Sequence, residues 1–173
     1  LVPELRAAQL DPIRTGGKVG EEVRNRDFSV RVEKVETARS LARGFSFGVQ
    51  SHVGTDGIYL IVRFRASSHR EPLQLRTADL ETPGGYVYKH DPRTAVASPG
   101  VQPTFEPMIW TSGTFLFELP KDRLEGARLV VGTGGLLPQL SAAAEIDLGI
   151  TGKRAKELIG GAAEGYRLGE VGP

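Results

Sequence analysis

Ten consecutive residues, Gly57-Ile58-Tyr59-Leu60-Ile61-Val62-Arg63-Phe64-Arg65-Ala66, restrict the fold more than any other stretch of the chain. In an extended strand successive side chains point to opposite faces. That period sets Ile58, Leu60, Val62, Phe64 and Ala66 on one face and Tyr59, Ile61, Arg63 and Arg65 on the other. The first face is wholly apolar. The second is apolar at its start and cationic at its end, the mark of a central strand with one face covered and the other half covered. The segment Gly54-Thr55-Asp56-Gly57 reads as the turn that leads into it.

Other short alternating segments are available to cover this strand. Gly17 to Val23 reads as an edge-like first strand, and Asn25-Arg26-Asp27 as a tight turn into Phe28-Ser29-Val30-Arg31-Val32. The apolar spacing then jumps by three, from Val32 to Val35, which predicts a β-bulge. Residues 37–56 read as the longest connection, and connections of that length in small domains are commonly functional. Further strands are expected over Leu73–Leu80, Tyr86–His90, Thr114–Pro120, Ala127–Val131 and Ala144–Ile150, with Pro83-Gly84-Gly85 and Gly132-Thr133-Gly134-Gly135 as turns. Pro92, Pro99, Pro103 and Pro107 keep any ladder out of residues 91–107. One helix is expected, from an N-cap at Thr151 to a stop at Gly160-Gly161. The pattern predicts an all-β, antiparallel β-sandwich over residues 17–150, which the resemblance given below makes immunoglobulin-like. A lead-in or linker occupies 1–16, and a short C-terminal helix and tail occupy 151–173.

Composition removes several classes of function. Lys and Arg number 22 against 21 Asp and Glu, a net charge of +1, which is not the basic excess of a nucleic-acid binder. The chain has no cysteine, so disulfides, thiolate metal sites and thiol nucleophiles are all excluded. No apolar run approaches the roughly 20 residues that span a bilayer. The chain opens at Leu1-Val2-Pro3 without a Met, so a leader or membrane anchor is expected upstream, and membrane association only through it.

Few residues suggest chemistry. His52, His69 and His90 lack the spacing of metal ligands or of a catalytic triad and read as surface histidines. No Gly-x-Ser-x-Gly elbow occurs, and Gly132–Gly135 lacks the ending of a phosphate loop. Glu21 and Glu22 point to opposite faces; Asp79 and Glu81 share one, and both read as edge or turn solvation. No catalytic residue, metal or cofactor is expected. The candidate contact residues are aromatic and cationic side chains on two connections. Arg43, Phe45, Phe47 and His52 lie on 37–56, whose Phe45 and Phe47 read first as an extra strand entering the core and second as contact residues. Tyr86, Tyr88 and Trp110 flank the proline-rich excursion.

The order of elements resembles the telokin-like, immunoglobulin-like domains of uncharacterised, membrane-anchored proteins of Gram-positive, especially actinobacterial, bacteria. The resemblance is carried by Gly17-Lys18-Val19-Gly20 with Phe28–Val35, by Gly57–Phe64, by Phe115–Pro120 and by Ala144–Gly149. It covers roughly residues 17–150, and it lacks the Cys pair and central-strand Trp of antibody domains. It implies a non-enzymatic, extracytoplasmic binding domain of the bacterial envelope, with an envelope protein or a glycan as partner. The alternatives are a sandwich that senses a small ligand or carbohydrate, and a hydrolase on the same scaffold.

Overall fold

The computed structural model describes residues 13–46, 49–90, 103–137 and 140–168. Its strands are β1 (Ile13–Lys18), β2 (Val23–Arg24), β3 (Phe28–Ser46), β4 (Val49–Ser68), β5 (Thr77–Thr82), β6 (Tyr86–Lys89), β7 (Thr111–Leu119), β8 (Arg128–Gly132) and β9 (Ala142–Asp147). They form a sandwich of two sheets, ordered β1-β9-β8-β5-β6 and β2-β3-β4-β7. All pairings are antiparallel except β1 with β9, which is parallel. One helix, α1 (Gly152–Gly160), follows β9.

β4 is central, as its alternation requires. Ile58, Leu60, Val62, Phe64 and Ala66 are at most 1 % exposed and meet Leu80, Leu129, Val131 and Ile146 of the facing sheet in one core. Burying each such side chain contributes about 1.5–3 kcal/mol. Phe64 stacks on Phe115 with ring centroids 4.4 Å apart and tilts against Phe105 at 5.9 Å. The other face of β4 is half covered. Tyr59 and Ile61 are buried with Ala38, Leu41 and Leu116 beneath Ala163, Tyr166 and Leu168 of the C-terminal tail, while Arg65 stays exposed.

Two bulges let one strand serve both halves. A register shift between Val32 and Lys34 returns Val35 to the core side, as the three-residue jump predicts. A second, between Ala38 and Ser40, brings Ala38 and Leu41 onto the same outer face.

The second shift corrects the sequence reading of 37–56. These residues are not an irregular connection: β3 and β4 pair from Phe28 with Ser68 to Ser46 with Val49, and the hairpin continues past the sheet as an arm. Gly54–Gly57 is no turn into β4 but a wide bulge within it, because Ser40 pairs with Gly54 and Ala38 with Tyr59. Gly57 is there for space: a Cβ would lie 2.3 Å from the Leu119 carbonyl oxygen. The tail makes the arm possible. Ala163 and Tyr166 bridge Ala38 and Leu41 in parallel, satisfying backbone groups of β3 that no strand reaches.

Other boundaries moved less. Ile13–Gly16, read as lead-in, belongs to β1, and Gly17–Val23 divides between β1 and the two-residue β2. Leu73, read as strand, makes only an isolated bridge to Phe105, and β5 starts at Thr77. The helix matches its signals: Thr151 Oγ1 accepts from Arg154 N at 3.2 Å, and Gly161 closes the C-terminus. Of the Pro-rich excursion, residues 91–102 lie outside the described portion.

Candidate functional site

The sandwich has two unlike ends. At one, the arm projects beyond β7 and the β5–β6 turn. At the other lie the β2–β3 turn and the β8–β9 connection, each within one sheet, and the β4–β5 connection and the segment before β7, which pass between the sheets. This second end gathers most of the large apolar side chains that the core leaves out.

The segment before β7 is anchored from below and bare above. Phe105 is fully buried, and Leu73 and Phe105 exchange backbone hydrogen bonds of 3.0 and 2.8 Å. Ser68 N donates to Glu106 O, and Met108 N to Ser68 O, each at 3.3 Å. Held in this way, Met108 takes φ +63°, the only left-handed non-glycine among the described residues. A side chain in that region costs of order 1 kcal/mol and persists where neighbours impose it. Its consequence here is display: Met108 is 84 % exposed, Ile109 58 % and Trp110 36 %. Arg65 Nη2 donates to the Trp110 carbonyl at 3.2 Å.

Across the same end, the β8–β9 connection exposes Leu136, Leu137 and Leu140, and Ile13 is exposed at the start of the neighbouring β1. Arg26 ties this group to the first. Its Nη2 donates to Leu140 O at 2.7 Å, and its carbonyl lies 3.3 Å from His69 Nδ1, one residue from Ser68. The turn carrying Arg26 is fixed by Asn25 Oδ1, which accepts from Asp27 N and Phe28 N.

The residues singled out from sequence are not brought together. Trp110 is at this end. Tyr86 is at the other, half exposed, with the Arg123 guanidinium 3.8 Å above its ring. Tyr88 packs against the core from β6. His52 is exposed on the arm, and a side chain at Gly165 would meet its ring at 2.8 Å. Arg43 and Phe45 are in β3, with side chains outside the described portion, and Phe47 lies outside it altogether. The two connections therefore do not share one surface: β3 and β4 carry the arm away from Trp110. Sequence reasoning missed Met108, Ile109, Leu136, Leu137 and Leu140. The available signal was apolar residues inside turn-rich segments, where nothing in the alternation requires them.

The remaining polar groups serve the fold. His69 Nε2 lies 3.0 Å from Ser29 Oγ, the spacing of a nucleophile and its base. Ser29 is only 2 % exposed, however, and the Arg26 carbonyl stands where a triad has its carboxylate. His90 Nδ1 accepts from Leu116 N at 3.0 Å, on the side of β7 that no described strand pairs. Asp79 pairs with Lys89, and Glu81 with Arg14, so the acidic pair on β5 is used in ion pairs. The hydrogen bond from Arg14 holds the Glu81 carboxyl below its ordinary value.

A denser cluster locks the tail. The Tyr166 hydroxyl donates to Glu36 Oε2, Arg63 Nε reaches the same oxygen at 3.1 Å, and Lys34 holds Oε1 at 2.8 Å. Burial alone would raise the Glu36 pKa, but the bonds from Lys34, Tyr166 and Arg63 outweigh it and hold it low. Burial and the Glu36 carboxylate push the Tyr166 phenol up to about 12.

No protein-family model and no curated protein matches the chain. Among solved structures it is similar to MPT63, a secreted protein from Mycobacterium tuberculosis, with a TM-score of 0.53 and 13 % identity over 79 % of this chain and 97 % of that one. It is also similar to the yjhA protein from Bacillus subtilis (TM-score 0.49, 14 % identity, 75 % and 99 % covered). A third is an uncharacterised β-sandwich protein from Clostridium difficile 630 (0.47, 12 %, 78 % and 95 %). The likeness to MPT63 is one of fold: a β-sandwich.

Proposed function

We propose that this chain is a non-enzymatic, immunoglobulin-like interaction domain that works outside the cytoplasm at the bacterial envelope. The observation that carries the reading is the gathering of Met108, Ile109, Trp110, Leu136, Leu137 and Leu140 at one end of a well-packed sandwich. Scattered single apolar residues need no explanation, whereas a group gathered at one end, with Met108 held out by a left-handed backbone, marks a contact surface. The fold it shares with the secreted MPT63 is in keeping with an extracytoplasmic site. The telokin-like, membrane-anchored family is the expected setting, with an envelope component as partner.

A second reading has its own observation. The bulge of β4, the end of β7 and β6 frame an open cleft of about 730 Å³. Thr55, Asp56, Lys89, Glu118 and Lys121 line it, a mixed polar set suited to a small ligand or sugar.

Thermal shift separates the two. Muropeptides, wall glycans and phospholipid vesicles are each added to the wild type and to a double variant, I109D with L137D. Ligands that bind the native state raise its melting temperature. The main reading expects at least one class to stabilise the wild type and not the variant. A class that stabilises both equally points to the cleft, and stabilisation by none overturns the interaction reading. The compartment is tested separately by the coding sequence ahead of Leu1: an export signal or anchor supports it, a plain cytosolic start removes it.

A further inference from the structure

We infer that the Trp110 end docks on an anionic lipid bilayer, its apolar tips entering the interface and its arginines meeting the headgroups. This rests on the interaction reading above and names the partner's chemistry.

The shape of the surface favours a bilayer over a folded partner. The apolar groups stand on two separate connections, with Arg26 between them, and they project outward: Met108 is 84 % exposed, Leu136 fully and Leu140 61 %. Protein interfaces set their anchors into pockets, and the open cleft described above lies elsewhere, by the bulge of β4. Separate tips bearing Trp, Ile, Met and Leu suit a fluid interface, where an indole ring settles at headgroup level and aliphatic chains reach below it.

Charge agrees. At this end Arg24, Arg26, Arg65, Arg70 and Arg76 stand against Asp27, Glu71 and Glu106, a cationic excess on a chain whose net charge is only +1. Arg26 pairs with Asp27 at 3.2 Å, while Arg24, Arg70 and Arg76 have no carboxylate partner among the described residues. Unpaired arginines around an apolar tip are the complement of an anionic leaflet. The chain preceding Ile13 also joins β1 at this end, next to Ser141 and Leu140, so an upstream anchor would hold this face toward the membrane.

The chain carries its own probe, because Trp110 is its single tryptophan. Purified protein is mixed with vesicles of phosphatidylcholine, alone or with an equal part of phosphatidylglycerol. Trp110 emission and co-sedimentation are then followed. Docking predicts a blue shift and co-sedimentation with the anionic vesicles, quenching by lipids brominated near the headgroup, and weakening in high salt. I109D with L137D should reduce partitioning by roughly tenfold or more, since both tips must then bury a charge. Both positions are exposed, so unchanged circular dichroism and melting would show that the fold is kept. Absence of binding to anionic vesicles overturns the inference; so does equal binding to neutral ones, or binding that the double variant retains. A concentration-dependent dimer abolished by the same variant, without vesicle binding, also overturns it in favour of a second copy of this chain, and leaves the interaction reading intact.

Discussion

Gly57 offers the sharpest test of the fold, because the sequence and the structure give it different work. Taken as the end of a turn, it is there for backbone freedom; in the structure it is there for space. A Cβ at Gly57 would lie 2.3 Å from the Leu119 carbonyl oxygen, 2.9 Å from its carbon and 3.4 Å from Pro120 N. These are backbone atoms and cannot rotate aside as a side chain would. G57A must therefore push the end of β7 from β4 at the pairing of Ile58 with Leu119, or open the bulge. Overpacking of this kind costs about 1–3 kcal/mol, and a methyl against backbone belongs at the upper end. For a chain of 173 residues, about 2–3 kcal/mol lowers the melting temperature by roughly 5–10 °C. Gly54 is the internal control. It sits in the same strand, and a Cβ there meets nothing within 4 Å. G54A should be neutral or stabilising by about 0.5 kcal/mol, through loss of unfolded-state freedom. Differential scanning calorimetry of the wild type and both variants is sufficient. Shifts of similar size at the two positions would refute the close approach and reinstate the turn.

The tail lock, helix cap and Ser29–His69 pair give further expectations. Y166F removes the hydroxyl that joins Glu36 to Arg63 and should cost about 1 kcal/mol, with faster hydrogen exchange at Ala163 and Tyr166; unchanged protection would deny the lock. Because the folded Tyr166 pKa is raised to about 12, its contribution is complete below the unfolded value near 10 and is lost as pH rises from 10 to 12. Solvent screening at this half-exposed site limits the effect to at most about 1 kcal/mol, so urea midpoints at pH 9 and 11.5 should diverge more in wild type than in Y166F. T151A should cost about 1 kcal/mol through the lost cap, read as a fall of a few degrees in melting temperature. S29A should cost about 1 kcal/mol and leave any hydrolysis of p-nitrophenyl acetate unchanged; its abolition would favour the hydrolase alternative.

Much of the scaffold was legible because alternation reports burial directly. Ile58 to Ala66 reads correctly down to its half-covered outer face, since Tyr59 and Ile61 had to be covered and Arg63 and Arg65 did not. What covers them was not legible: Ala163, Tyr166 and Leu168 lie about a hundred positions away, and no local pattern pairs them. The arm was missed for a related reason. Glycine and serine between residues 40 and 57 weaken intrinsic strand preference, and only the tertiary pairing of β3 with β4 and the tail overrides it. At the candidate surface, Trp110 stood out as an aromatic, but Met108 and Ile109 become informative only when the left-handed turn displays them. Leu136 and Leu137 were hidden because an apolar pair beside glycines resembles the start of another strand.

The parallel pairing of β1 with β9 sets how this module carries mechanical load. Ile13 lies at the Trp110 end, and the described tail runs along the arm toward the far end as far as Leu168. A pull between those points acts along β1, so the register from Ile13–Ala142 to Lys18–Asp147 is strained in shear, all its bonds together, instead of being peeled apart singly. A load between Ile13 and Leu168 would thus be met by the β1–β9 register acting as one.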